Sequence, residues 1–319
     1  MTKEIKSLID NAKTCAVFFH IGPDGDAIGS GLALKEALTQ LGKNVTVFSQ
    51  DEIGKDFEFL KPDCIKTEIV STKFDLGFVL DCGEIKRIGT MEAVLKNCEK
   101  VINIDHHLNN ENFTKFQIVE PEASSTCELM CYFLKQLGIE FTKQIKIDLY
   151  CGLATDTGCF MYSLDKKAYS AAEFLTDGIC DEIEKLNYTL FREKTFEELK
   201  LTGEALSKLE SHLDNKFAIT DIMQRDLLKH NVPIECTPNI IFLVSGLKDY
   251  DVICVICEEK VGVFRVSFRS NKVDVSELAR MFGGGGHKFA AGCKIYGGRN
   301  AVKNKILKAC KVYFDGRNN

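Results

Sequence analysis

Three apolar runs in the first half of the chain, TCAVFFH (14–20), FDLGFVLDCG (74–83) and KVINIDHH (100–107), pass directly from strand-like residues into acids or histidines. Between and after them lie stretches with a helical apolar period: AIGSGLALKEALTQLG, which Gly42 closes, TMEAVLKNC, and STCELMCYFLKQLG. Strands that alternate with helices require crossover connections, so the expected architecture is α/β, with a mostly parallel sheet flanked by helices. Such a sheet gathers the polar ends of its strands along one edge, where loops and helix N-termini converge. The sequence thus predicts where its unusual polar residues meet.

The chain has 319 residues, 45% of them hydrophobic, which supports substantial cores and about two domains. Residues 1–185 are expected to form the first domain, 186–213 a polar helical linker, and 214–319 a smaller mixed α/β domain. In the last of these, KFAITDI, IIFLVSG, DVICVICEE and GVFRVSFRS read as β-rich segments, followed by a helix and a glycine cluster. No apolar run is long enough to span a bilayer, and MTKEIKSLIDNAKT lacks a signal-peptide core, so a cytoplasmic location is expected. The 14 cysteines fall mostly within apolar runs, where they act as small hydrophobes. The C-x-x-C pair Cys254 and Cys257 lies inside a strand-like run with no second pair at zinc spacing, which argues against a structural zinc. Residues 260–319 carry 13 Lys and Arg against 3 Asp and Glu, a local excess of +10 in a chain of net −5. Part of that charge is a solvated helix face around NAVKNKILKACK, and the remainder suits an anionic ligand.

Each polar strand end has an ordinary explanation when taken alone: Asp24-Gly25 is good turn chemistry, and Asp81 or Asp156 serves as a cap or loop acid. Taken together they are harder to dismiss. Of six histidines, His20, His106 and His107 fall at strand ends beside Asp24, Asp26, Asp81 and Asp105, while Asp156 lies in the small-residue loop GLATDTG. Successive strand residues point to opposite faces, so Asp105, His106 and His107 cannot all enter one core. Carboxylates with imidazoles suit Mn²⁺ or a similar divalent ion, and two ions ~3.5–4 Å apart clamp a phosphoryl group and activate water. Asp81, central among these motifs, is the natural bridging carboxylate. In the second domain, Gly283 to Gly286 allow close backbone approach to an anion, and His287 is expected to open a short helix of small residues. Arg265, Ser267 and Arg269 alternate and share one strand face. Arg87, in GEIKRIG, is either a phosphate contact or a surface residue.

At these residues the chain resembles a known family. PDGDAIGS, LDC, NIDHH and ATDTG are similar to the four motifs of the DHH phosphoesterases, in the family's order and at matching separations. RVSFRSN followed by VDVSELARMFGGGGHKFAAGC resembles the DHHA1 substrate domain of one of its subfamilies. The resemblance implies one metal held by His20, Asp24 and Asp81 and a second held by Asp26, Asp81, His106 and Asp156, with Mn²⁺ the usual ion. It further implies that His107 faces the phosphate, that Asp105 orients its neighbours, and that Arg269 and His287, with Arg265, Ser267 and Gly284 to Gly286, hold substrate. The implied activity is hydrolysis of RNA or DNA oligonucleotides a few nucleotides long to nucleoside 5′-monophosphates, with dephosphorylation of 3′-phosphoadenosine-5′-phosphate. Phosphodiesterase action on cyclic di-AMP or linear pApA is the nearest alternative. A RecJ-like exonuclease, a family II pyrophosphatase and a silent nucleotide sensor are further readings, and a homodimer is an assembly that such proteins can form.

Overall fold

The helix and strand signals resolve into two units, Met1–Glu193 and Lys194–Asn319, in a computed structural model that describes residues 2–161 and 165–316. The first unit runs α1 (Lys3–Asn11), β1 (Thr14–Phe18), α2 (Gly25–Gln40), β2 (Asn44–Phe48), β3 (Ile65–Lys66), β4 (Phe74–Leu80), α3 (Glu92–Leu95), β5 (Cys98–Asp105), β6 (Phe116–Val119), α4 (Thr126–Leu137), α5 (Lys143–Asp156), α6 (Lys166–Thr176) and α7 (Cys180–Phe191). Its six strands lie in the order β3-β2-β1-β4-β5-β6, and every pair is parallel. Alternation along the strands divides the burial between two faces. Cys15, Val17, Leu76, Phe78 and Leu80 join the core with α2, α4 and α5. Ala16, Phe18 and Val79 pack with Ile88, Met91, Val94 and Leu95 on the other side.

Two local features of the first unit set up the site. Asp24 caps α2, its Oδ1 accepting from the N–H groups of Asp26 and Ala27 at 3.1 Å each. Helices α2 and α5 approach so closely that a Cβ on Gly29 would lie 2.2 Å from the Asp148 carbonyl oxygen, and one on Gly152 would lie 2.8 Å from the Asp26 Cα. Only glycine permits that contact, which brings the end of α5 onto the start of α2. Asp156 is therefore the last residue of a helix, not a loop residue as its small neighbours suggested.

The second unit runs α8 (Phe196–Ser207), β7 (Glu210–His212), β8 (Phe217–Ile222), α9 (Gln224–His230), α10 (Pro238–Val244), β9 (Val252–Lys260), β10 (Val263–Arg269), α11 (Val275–Arg280), β11 (Gly285–His287), β12 (Ala290–Tyr296) and α12 (Arg299–Asp315). Its sheet has the order β11-β12-β10-β9-β8-β7 and is antiparallel except between β8 and β9. The division between units falls inside 186–213. Helix α8 buries Leu201 and Ala205 in one core with Ala218 and Ile222 of β8. On β9, Cys254 faces one core and Cys257 the other, so the C-x-x-C pair cannot share an ion.

Two segments differ from expectation. IIFLVSG is helical: Pro238 starts α10, and Ile240, Ile241 and Val244 are buried while Phe242 and Leu243 are 42% and 54% exposed. An unbroken apolar run carries no period, and burial on one side of the run selected the helix. The residues at His287 are also not helical. Gly285 to His287 form β11, which pairs with Ala290 to Gly292 of β12. A Cβ on Gly284 would meet the Gly292 carbonyl oxygen at 2.2 Å, and one on Gly286 (φ 138°) would meet that of Ala290 at 2.6 Å. Two of the four glycines thus exist for close packing of a hairpin. Among the described residues, no helix is long and apolar enough to cross a membrane.

Candidate metal centre

The carboxyl edge of the parallel sheet collects the predicted acids and histidines of the first unit. Asp81 follows β4 in a left-handed conformation (φ 54°), which costs a non-glycine residue ~1–2 kcal/mol and turns its buried side chain back toward the edge. Its Oδ2 lies 3.3 Å from His20 Nε2, and its Oδ1 lies 3.6 Å from His106 Nε2. His20 Nε2 also approaches Asp24 Oδ2 at 3.6 Å. On the other side, His106 Nε2 lies 3.2 Å from Asp156 Oδ2 and 4.0 Å from Asp26 Oδ2. Two donor groups result, His20/Asp24/Asp81 and Asp26/His106/Asp156, each with ligand atoms within 4.8 Å of one another. His106 and His107 form a third grouping with Asp81.

Outer contacts aim these side chains. His20 Nδ1 faces the Ile21 carbonyl at 3.0 Å and His106 Nδ1 that of Ala123 at 3.2 Å, which leaves both Nε2 atoms toward the carboxylates. The first turn of α4 clamps the acids: the N–H of Thr126 donates to Asp26 Oδ2 at 2.6 Å, that of Cys127 to Oδ1 at 2.7 Å, and Thr126 Oγ1 to Asp81 Oδ1 at 3.0 Å. Asp105, fully buried, accepts from His107 Nδ1 at 2.7 Å and from Asn110 Nδ2 at 2.6 Å. Thr126, Asn103 and Asn110 were not singled out from the sequence. The capping pattern Ser125-x-x-Glu128 marks the start of α4, where Thr126 lies, and Asn103 interrupts an apolar run, so those two left a trace, whereas Asn110 left none.

The electrostatics fit a cation. Burial pushes the Asp26 carboxyl well above its usual range, and the charges of Asp81 and Asp156 push the same way. Burial, with Asp24 and Asp81, raises Asp156 to about 6. Burial opposes charge on His20 and His106, but their carboxylate neighbours outweigh it and hold both imidazoles well above the ordinary value. Asp81 is held low by His20, His106 and His107 despite its burial. Four carboxylates around two imidazoles leave an excess of negative charge that a hard divalent ion would neutralise, and oxygen with nitrogen donors suit such an ion.

Arg87 is exposed, and its carbonyl accepts from the N–H of Ile21 beside His20. In the second unit, Arg265, Ser267 and Arg269 are half-buried on one face of β10, across from Lys294, Gly292 and Ala290 of β12. Gly285 and His287 of β11 pair with Gly292 and Ala290 and so share that face. A Cβ on Gly285 would meet nothing within 4 Å. Arg265 donates to Thr237 Oγ1 at 2.5 Å, and Arg269 to the Phe268 carbonyl at 3.0 Å. Exposed Lys305, Lys308 and Lys311 belong to α12, which packs on the opposite side of β10. The basic excess is therefore split between two faces.

Residues 14–153 match the DHH family N-terminal domain, and residues 235–314 match the DHHA1 domain. The chain is 29% identical to the bifunctional oligoribonuclease and PAP phosphatase NrnA of Thermus thermophilus, over 87% of this chain and 83% of that protein. It is 27% identical to a probable bifunctional oligoribonuclease and PAP phosphatase of Streptococcus mutans, over 92% and 93% of the two chains. The solved structure of an exopolyphosphatase-related protein from Bacteroides fragilis superposes with a TM-score of 0.88 at 25% identity, over 98% of each chain. Two matched domains in this order, on a fold shared along nearly the whole length, mean that the chain belongs to the DHH/DHHA1 family of phosphoesterases.

Proposed function

We propose that the protein is a two-metal phosphoesterase that hydrolyses oligonucleotides of a few residues to nucleoside 5′-monophosphates and dephosphorylates 3′-phosphoadenosine-5′-phosphate. The observation that carries this reading is the division of one buried carboxylate, Asp81, between two donor groups, with Oδ2 toward His20 and Oδ1 toward His106. His20, Asp24 and Asp81 would hold one ion, and Asp26, Asp81, His106 and Asp156 the other, with Mn²⁺ the ion of choice. When bound, such ions supply Lewis-acid stabilisation of phosphoryl charge and ease deprotonation of the attacking water. The chain's own residues do the rest. His107, one-third exposed with Nδ1 committed to Asp105, faces the scissile phosphate and steadies charge on the leaving 3′ oxygen. Arg269, His287, Arg265 and Ser267 grip the far phosphate or base, while Gly285 leaves room for it. Arg87 is a second cation for the scissile phosphate. A grip on one end of the substrate favours short substrates. The names of the relatives support both activities, and the reading assigns them to the cytoplasm.

The test is a parallel assay with Mn²⁺ of an RNA of a few nucleotides, a long RNA, pApA, cyclic di-AMP and 3′-phosphoadenosine-5′-phosphate, with an Asp81→Ala control. Turnover of short RNA and of 3′-phosphoadenosine-5′-phosphate, both lost in the control, is the expected result. A higher kcat/KM for pApA or cyclic di-AMP would replace the substrate assignment and move the protein into dinucleotide turnover.

A further inference from the structure

Beyond the metal-facing groups, a chain of side-chain amides runs from the backbone around Asp81 to the ring of His107. Asn103, fully buried on β5, donates from Nδ2 to the carbonyls of Val79 at 3.0 Å and Cys82 at 3.2 Å. These two carbonyls bracket Asp81, the residue in the left-handed conformation. Asn110 donates from Nδ2 to Asn103 Oδ1 at 2.8 Å and to Asp105 Oδ2 at 2.6 Å, and its own Oδ1 accepts from the N–H of Asn112 at 2.8 Å. Asp105 Oδ1 then accepts from His107 Nδ1 at 2.7 Å. The partners fix both amide orientations: Asn110 faces three acceptors on one side, the Cys82 carbonyl at 3.3 Å among them, and a donor on the other, and Asn103 faces two carbonyls and a donor. They also fix the tautomer, because a ring nitrogen against a carboxylate oxygen must carry the proton.

We infer that Asn110 is a positioning residue that acts through Asp105, holding the His107 ring in its Nδ1–H tautomer and tying that ring to the turn that carries Asp81. Asp105 is fully buried, so each of its oxygens needs a donor. Without Asn110, Oδ2 loses its shortest partner, and the carboxylate is free to rotate away from His107. The same loss releases Asn103 Oδ1 and loosens the Asp81 turn. One side chain thereby couples the orientation of the residue that faces phosphate to that of the carboxylate shared between donor groups. The rate consequence rests on the function proposed above, whereas the ring state does not.

The experiment compares wild type, Asn110→Ala and Asn110→Asp by ¹⁵N NMR of the imidazoles, with kcat and KM on short RNA, Mn²⁺ affinity by calorimetry and thermal stability. Six histidines make the ring signals assignable, with His107→Gln identifying the one of interest. Wild type should show His107 as a hydrogen-bonded Nδ1–H tautomer. In Asn110→Ala that signal should be lost or averaged, with kcat down roughly 10–100-fold and KM changed far less. Asn110→Asp keeps the shape but turns an oxygen toward Asp105, and should lose at least as much kcat. A side chain that only filled space would leave the aspartate variant close to wild type. An unchanged His107 signal in a folded Asn110→Ala, or a wild-type ring protonated on Nε2 alone, would overturn the inference. If Asn110→Ala does not fold, the isosteric variant decides the matter by the same signal. Absence of phosphoester hydrolysis in wild type would instead refute the proposed function and leave the ring result standing.

Discussion

In the first unit, Asp26, Asp81 and Asp105 are each gripped by donors from other elements, among them the N–H groups of Thr126 and Cys127, the Thr126 hydroxyl and the Asn110 amide. In the second unit, Arg265, Ser267 and Arg269 stand half-buried on a sheet face whose neighbours are Gly292, Ala290 and the exposed Gly285 and His287. One region spends its polar contacts on holding carboxylates still; the other leaves space beside its cations. On the function proposed above, the difference follows from the tasks. Groups that stabilise developing charge must be oriented before the reaction, since any reorganisation adds to the barrier. Groups that hold a phosphate end need reach and room, which long side chains and glycine provide.

Substitutions can break that contrast, and the largest effect should come from the rigid side. Asp81→Ala removes the carboxylate that lies between His20 and His106, and on the proposed function the loss of several kcal/mol of charge stabilisation should lower kcat by on the order of 10³-fold. Calorimetry with Mn²⁺ should show weakened binding in the same variant; intact metal binding would contradict the shared role. On the open side, Arg269→Ala and His287→Ala should raise KM for short RNA about 10–100-fold, the worth of a hydrogen bond to a charged group, with kcat little changed. A fall in kcat at constant KM would move these residues into the chemistry. The glycine hairpin gives a sharper comparison between neighbours. Gly284→Ala forces a Cβ against the Gly292 carbonyl and should destabilise the protein by ~1–3 kcal/mol, seen as a lower Tm, whereas Gly285→Ala should leave Tm alone and raise KM.

The effect furthest from catalysis concerns a buried acid with no imidazole beside it. Burial raises Asp148 on α5 to about 8, although its Oδ1 accepts from Gln144 at 2.8 Å. The folded state therefore binds this proton more tightly than the unfolded chain, and the stability contribution falls as pH rises from about 4 to about 8. Asp148→Asn should accordingly raise Tm by a growing margin across that window, be neutral at its acid end and leave kcat unchanged. A Tm difference independent of pH would show that the carboxyl is not the cause.

Much of the fold was legible because period and punctuation agree locally. β1, β4 and β5 follow apolar runs, and α2 begins at its Asp24 cap and ends before Gly42. The second unit was less readable. IIFLVSG has no internal period, so only burial of Ile240, Ile241 and Val244 on one side selected a helix. The GGGGH stretch looked like a helix start because small residues follow it, yet strand pairing with β12 determined its form. The site divides in the same way. His20, Asp24, Asp26, Asp81, His106 and Asp156 were candidates because strand ends and turns advertise polar residues in sequence. Thr126 gained its partners only across the fold, from Asp26 and Asp81 100 and 45 positions away, whereas Asn110 turns back onto Asp105 and Asn103 at the end of β5, a contact set by the loop conformation and not by residue type.

The sequence by itself therefore determined which side chains could carry the chemistry and the strand and helix order that delivers them to one sheet edge, because residue type and periodicity are local properties. Only the tertiary structure decided that Asp81 stands between two donor groups, that Asp156 meets His106 through the close crossing of α2 and α5, and that glycines 284 and 286 serve packing while 285 faces open space. Those outcomes depend on distances between segments remote in the chain, which close packing sets and no local pattern encodes.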